Sequence, residues 1–332
     1  MSLKQTKIDH FPSKEVLMII RNSKWLSRCV AAIGLAIFAF ALSTDAQIIT
    51  TTVVDDNLAV DGTAITDARY YGTSSGSGAI DIDPNGIGLV TGSSGRQLHA
   101  LFPTQTLGMT GDTLSTVLTF LTPATVPNLG SDDIRIGLFD HLGRGNIGGV
   151  LDQNISASSS TPNPDLIGLP GYAVELDVDP ATVTNQDVNL RRSDPSTTGR
   201  LLGTNTGIPN FSSSGDNGYV FAPNTSYTLE WDIERDASGG LLHTINFLDS
   251  AGVLIDTHSD TDSSPNSFDF GFLGFGASTN AFGSSNSNGT PDNGLDITNL
   301  SIEFSTTVPE PGSAALLLAL GSFGLVRRRR RK

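Results

Sequence analysis

The sequence predicts an all-β body, a sandwich of antiparallel strands flanked by two apolar ends, and three observations predict it. Short runs rich in Val, Ile, Thr, Phe and Tyr alternate apolar with polar residues; Gly, Pro, Asn, Asp or Ser bounds each run; and no 11-residue window outside the two ends carries a helical period. Such a pattern folds as a closed or doubled sheet.

The strands follow in order. Thr113–Leu121, Ile134–Phe139, Tyr172–Val178, Ser226–Glu234, Leu241–Asp249 and Leu295–Phe304 each alternate with period two. Asp236 to Gly240 and Asp249 to Gly252 lie between consecutive runs and have the composition of tight hairpin turns that need positive φ. The Gly/Ser/Asn-rich stretches 72–78, 156–164 and 283–294 are expected to be loops.

The amino end has the make-up of a secretory signal peptide. Arg21, Lys24 and Arg28 precede a 14-residue apolar stretch, Cys29 to Leu42, and Thr44 and Ala46 put small residues at the minus-three and minus-one positions before Gln47. Cleavage is expected between Ala46 and Gln47. Residues 1–17 are polar and unlike a leader, so Met18 is the expected start and 18–46 the signal peptide.

The carboxyl end combines Pro309, Glu310 and Pro311, an apolar run from Gly312 to Val326, and the cations Arg327, Arg328, Arg329, Arg330, Arg331 and Lys332. Fifteen apolar residues form a helix of roughly 22 Å, short of the ~30 Å hydrocarbon core, so a single short transmembrane helix would need snorkelling flanks or a thinned bilayer. The arginines hold that end in the cytoplasm and place the preceding chain outside. An ordinary tail anchor with a basic stop is the plainer reading. The order of triplet, short run and arginine cluster resembles the PEP-CTERM sorting signal of exported bacterial proteins. That resemblance implies transient anchoring in the inner membrane, processing by an exosortase, and delivery to the cell surface or matrix of a Gram-negative-type bacterium. With the leader it implies the Sec translocon and signal peptidase as partners. The expected organisation is 1–17 over-called start, 18–46 leader, 47–306 β-sandwich and 307–332 sorting signal.

Composition narrows the function of the body. Six of the 20 Lys and Arg lie in residues 1–46 and six in 307–332, which leaves eight in the body, all arginine. Thirty of the 34 acids fall there, for a net charge of −22. Such a field repels nucleic acid and anionic lipid, keeps the domain soluble, and offers oxygen ligands to Ca²⁺. The single cysteine, Cys29, belongs to the leader, so the body has no disulfide, cysteine nucleophile or thiolate metal site.

A second resemblance covers most of residues 58–304. Gly95–Pro103, Leu107–Pro123, Asp132–Asp140, Tyr227–Gly240, Phe268–Ser278 and the closing run from Leu295 are similar in order and texture to the concanavalin A-like (L-type lectin or LamG-like) jelly roll. The resemblance implies two stacked antiparallel sheets and a glycan or polysaccharide as ligand.

The stretch 171–189 carries the one chemical constellation. Period two puts Glu175, Asp177 and Asp179 on one strand face, where they repel unless something positive joins them. The stretch resembles the metal strand of L-type lectins, in which an E-x-D pair and a later Asp, here Asp187, hold Ca²⁺ and a transition metal. It departs from that family at Ala181, where the family has Asn, and in lacking a His over 188–194. An acidic strand edge open to solvent is the plainer reading. The same residues resemble the E-x-D-x-E strand of retaining glycosidases, whose carboxyls stand about 5–5.5 Å apart. Asp179 replaces the second Glu; losing a methylene retracts the carboxyl by roughly 1 Å or more, and misplacement on that scale can lower the rate about 10²-fold.

Four histidines, His99, His141, His243 and His258, have no metal-ligand spacing and are expected in strands or turns. Asp256–Asp262 and Thr290–Asp296 place acids at alternate positions, as a Ca²⁺ loop or an Asp-rich turn would. The reading is a non-catalytic surface or matrix protein with a glycan as ligand; the alternatives are a glycoside hydrolase and a purely structural envelope protein.

Overall fold

In a computed structural model of the chain, the residues described are 47–61, 66–72, 80–83, 86–89, 96–124, 133–144, 166, 168–177, 188–193, 202, 209–215, 221–277 and 295–308. The leader, the Pro-Glu-Pro triplet and the apolar tail lie outside them. Among the described residues no helix is long and apolar enough to cross a membrane.

The strands form two sheets. The first contains β1 (Gln47–Asn57), β3 (Ile80–Asp83), β4 (Gly86–Leu89), β6 (Thr113–Leu121), β11 (Ser226–Arg235), β12 (Leu241–Leu248), β13 (Leu254–Asp262) and β15 (Leu295–Val308). Its order is β13-β12-β11-β6-β15-β4-β3, and β1 pairs with β15. The second sheet contains β2 (Arg69–Gly72), β5 (Arg96–Thr106), β7 (Asp133–Phe139), β8 (Gly171–Asp177), β9 (Val188–Arg192), β10 (Asn210–Ser213) and β14 (Asp269–Ala277), in the order β10-β9-β8-β7-β14-β5-β2. A single helical turn, α1 (Leu58–Asp61), follows β1. The predicted antiparallel sandwich is thus the observed architecture.

The apolar face of each strand sets the packing. In the first sheet Leu114, Leu118 and Phe120 of β6, Leu229, Trp231 and Ile233 of β11, and Leu241, Ile245 and Phe247 of β12 are buried, with Thr116 and His243 on the same face, while the residues of the opposite face are half-exposed. They meet Ile134, Ile136, Tyr172, Val174, Leu273 and Phe275 of the second sheet in one core. Ring contacts cross the interface: Phe120 lies 6.4 Å from Phe275, and Tyr172 lies 4.3 Å from His243.

Both predicted hairpin turns form. Asp236 Oδ1 accepts from the backbone N–H of Ser238 and Gly240, each at 2.8 Å, and Asp249 Oδ1 accepts from those of Ala251 and Val253, each at 2.9 Å. Gly239 (φ 87°) and Gly252 (φ 74°) take the left-handed conformation that each turn needs. Thr50 Oγ1 lies 2.8 Å from Ser305 Oγ, so the start of β1 sits beside the end of β15.

Asp256–Asp262 is not a loop, as the sequence suggested, but the edge strand β13. Its carboxylates point inward: Asp256 and Asp262 are buried. Asp256 accepts from Ser214 Oγ at 2.8 Å, His258 Nε2 lies 2.8 Å from Ser212 Oγ, and Asp262 binds Arg192. A polar seam therefore ties β13 to β9 and to the chain at β10 along one margin of the sandwich. Inward charge on an edge strand also discourages pairing with another chain. Of the other stretch, only Leu295 and Asp296 are described, both in β15.

Candidate functional site

The central strands of the second sheet, β7, β8 and β14, are buried on both faces, and the outer face holds the predicted carboxylate strand. Cross-strand register lines up Gln97, Gly276, Arg135, Glu175 and Asn189 in one row and His99, Gly274, Gly137, Ala173 and Arg191 in the next. Gln97, His99, Arg135, Glu175 and Asn189 are all buried.

Glu175 is the centre of this face. Its Oε2 accepts from Arg135 Nε and its Oε1 from Arg191 Nη2, while Arg135 Nη1 also donates to the carbonyl of Leu202 at 3.2 Å. Only 3% of the Glu175 side chain is exposed. The expectation of a solvated acidic strand edge is therefore corrected, since β8 lies inside the sheet between β7 and β9. The positive partner that the carboxylate repulsion called for is a pair of guanidiniums. Their planar donor forks suit a buried carboxylate better than an ammonium would.

Leu202 closes the face. Its carbons lie where the glycine row leaves room: a Cβ on Gly274 would come within 2.8 Å of Leu202 Cδ1, and one on Gly137 within 3.1 Å of Cδ2. With Leu166, Leu169, Phe139, Phe272 and Ala173 it makes a second small apolar cluster. His99 lies beside this cluster, its ring 4.9 Å from Phe272 and its Nε2 3.0 Å from Gln97 Oε1. Burial pulls the His99 pKa down to about 3, so the ring is neutral.

The chemistry open to this face is limited. Glu175 is committed to two cations and sealed from solvent, which leaves it no access to a substrate. The pair of guanidiniums also makes its surroundings unsuited to a divalent cation, so Glu175 does not fit a metal-ligand role. Asp177 is half-buried at the end of β8, while Asp179 and Asp187 lie outside the described residues. Among the described residues no group of three or more His, Cys, Asp or Glu side chains is placed to hold a metal. Gln47 is the first residue of β1; Ala46, Pro309, Glu310, Pro311 and Arg327 to Arg331 lie outside the described residues.

The arginines were not anticipated from the sequence. Arg135, Arg191 and Arg192, three of the eight in the body, hold buried carboxylates. Their placement within strand-like runs of a lysine-free body was the available signal. His243 was likewise unremarkable in sequence, yet it is fully buried between Tyr172 and Trp231, whose Nε1 donates to its Nδ1 at 3.3 Å. His141 takes a turn position and His258 lies in β13, as expected.

Residues 307–331 match the family model of the PEP-CTERM protein-sorting motif, so the carboxyl end carries a sorting motif. Among solved structures the chain is similar to the potassium-bound carbohydrate recognition domain of Emp46p, with 11% identity and a TM-score of 0.45 over 75% of this chain and 95% of that one. It is also similar to the exoplasmic/lumenal domain of VIP36 in its Ca²⁺/Man3GlcNAc-bound form, at 13% identity and a TM-score of 0.42 over 77% and 89% of the two chains. A third is a seed lectin isoform of Lotus tetragonolobus, at 14% identity and a TM-score of 0.40 over 72% and 98%. No curated protein matches the sequence.

Proposed function

We propose that this chain is an exported, exosortase-processed surface or matrix protein whose sandwich body is non-catalytic and takes a glycan as ligand. The observation that carries the reading is the sorting motif at 307–331. The leader-like segment before Gln47 supports export, and the acidic, lysine-free, thiol-free body suits an extracellular setting. The closed carboxylate face supports a non-catalytic role, because Glu175 is buried between two arginines. The glycan rests on the sandwich architecture as a fold-level analogy alone.

Replacing Arg327 to Arg331 with Ser tests the sorting reading. The body should still fold but be mislocalised, and a processed protein at the surface would overturn it. Incubating the purified protein with a polysaccharide panel tests the rest. Binding without release of reducing sugar is expected, and release that Glu175→Gln abolishes while the body stays folded would establish a hydrolase instead.

A further inference from the structure

The strands at the sheet margins are not alike. β2, β3 and β10 are four residues each, and β13 turns its acids inward. Short strands and inward charge are the devices by which sheets avoid joining other chains. β1 has neither. It runs for 11 residues, and its segment from Gln47 to Thr52 is exposed on both faces, with Ile48 66% and Ile49 42% accessible. Among the described residues it pairs only with β15, and no other described strand lies along the edge of Gln47–Val53.

The composition of that segment is selective. QIITTTVV, from Gln47 to Val54, contains no charge, no Pro and no Gly in a body of net charge −22, and Ile, Thr and Val make up all but its first residue. High β-propensity without charge or breakers marks a segment suited to strand addition. We propose that Gln47–Val53 is an assembly edge that pairs antiparallel with the same segment of a second copy of this chain.

The segment is complementary to itself in charge and side-chain type. An antiparallel match over the full stretch centres on Thr50, opposing Ile49 to Thr51, Ile48 to Thr52 and Gln47 to Val53. β-Branched pairs and Thr pairs of this kind stabilise a sheet, and no like charges meet, since Asp55 is the first acid. The acidic bodies repel one another beyond the strands. Salt screens that repulsion over about 8 Å at physiological strength, so association should tighten as salt rises. Such an edge gives the proposed matrix role a physical means of joining copies. It rests on that role only in taking Gln47 as the start of the exported chain.

The thiol-free body supplies the test. In protein purified from exporting cells, Thr50→Cys should place two thiols opposite each other and form an intermolecular disulfide at least about 10-fold faster than Ser259→Cys, an exposed position on β13. Thr50→Lys, which opposes two ammoniums, should abolish the concentration-dependent association of wild type in sedimentation, with an unchanged melting temperature. Equal cross-linking rates, cross-links only to other proteins, or a wild type that sediments as a monomer at high protein and salt would overturn the proposal. Mass spectrometry of the same sample reports whether the leader and tail were removed, so failed sorting registers separately from failed pairing.

Discussion

The Tyr172 hydroxyl, on the second sheet, donates to Asp262 Oδ2, on the first, at 2.8 Å. Arg192 Nη1 reaches the same carboxylate at 2.9 Å, and the Ser264 N–H reaches Oδ1 at 2.9 Å. This group joins the two layers at the edge strand β13. Tyr172→Phe would leave a buried carboxylate short of one donor, and a loss of about 1–3 kcal/mol is expected in denaturant unfolding. An unchanged midpoint would show that the seam contributes nothing.

Glu175→Gln should be more damaging than its conservative size suggests. It leaves Arg135 and Arg191 facing one another with their shared anion gone, in a site closed to water. Loss of one partner of a buried ion pair costs about 3–5 kcal/mol. Chemical denaturation would measure it, and an unchanged midpoint would contradict the structural role.

Gly274→Ala should destabilise the protein, since the added methyl would meet Leu202 Cδ1 at 2.8 Å; overpacking of this kind costs about 1–3 kcal/mol. Leu202→Ala alone removes apolar packing at a cost of about 2–5 kcal/mol. Combined, the two should cost clearly less than their sum, because the second removes the atom with which the first collides. Strict additivity in a double-mutant cycle would argue against this packing.

Stability should fall in two stages on acidification. Burial holds His99 and His243 at pKa values of about 3, below the 6.5 of the unfolded chain. The unfolded state therefore takes up more protons than the folded one between these values, and stability declines from about pH 6.5 downward. Burial pushes the Asp262 pKa up, but the Ser264 N–H, the Tyr172 hydroxyl and Arg192 together hold it below its ordinary value. Its contribution is complete above about pH 4 and lost below that. Melting temperature against pH would follow both stages, and a variant lacking both histidines should flatten only the first.

The first sheet was the more legible in sequence, for a physical reason. It buries one face, so β6, β11 and β12 alternate and their observed bounds fall within a residue of the expected ones. The central strands of the second sheet are covered on both sides, which removes the polar half of the signal. β14, with Phe270, Phe272 and Phe275 among Gly271, Gly274 and Gly276, has no apolar-polar period, and it was placed by its likeness to a jelly roll. β1 was missed because a strand exposed along half its length presents no buried face to detect. At the candidate site, the shared face of Glu175 and Asp177 was visible in the spacing. Its two arginines were not, because they arrive from β7 and β9, 40 and 16 residues away.

The contact between Thr50 and Ser305 has a consequence for engineering the chain. The first residues of β1 and the last of β15 leave the body at one tip, so a short peptide could join Gln47 to Val308 and make the β-sandwich circular. New ends could then open at the Asp249–Gly252 turn, an exposed site whose strands pair through their own register. Such a permutant would carry the body without either native end and could be attached to a surface from the opposite direction.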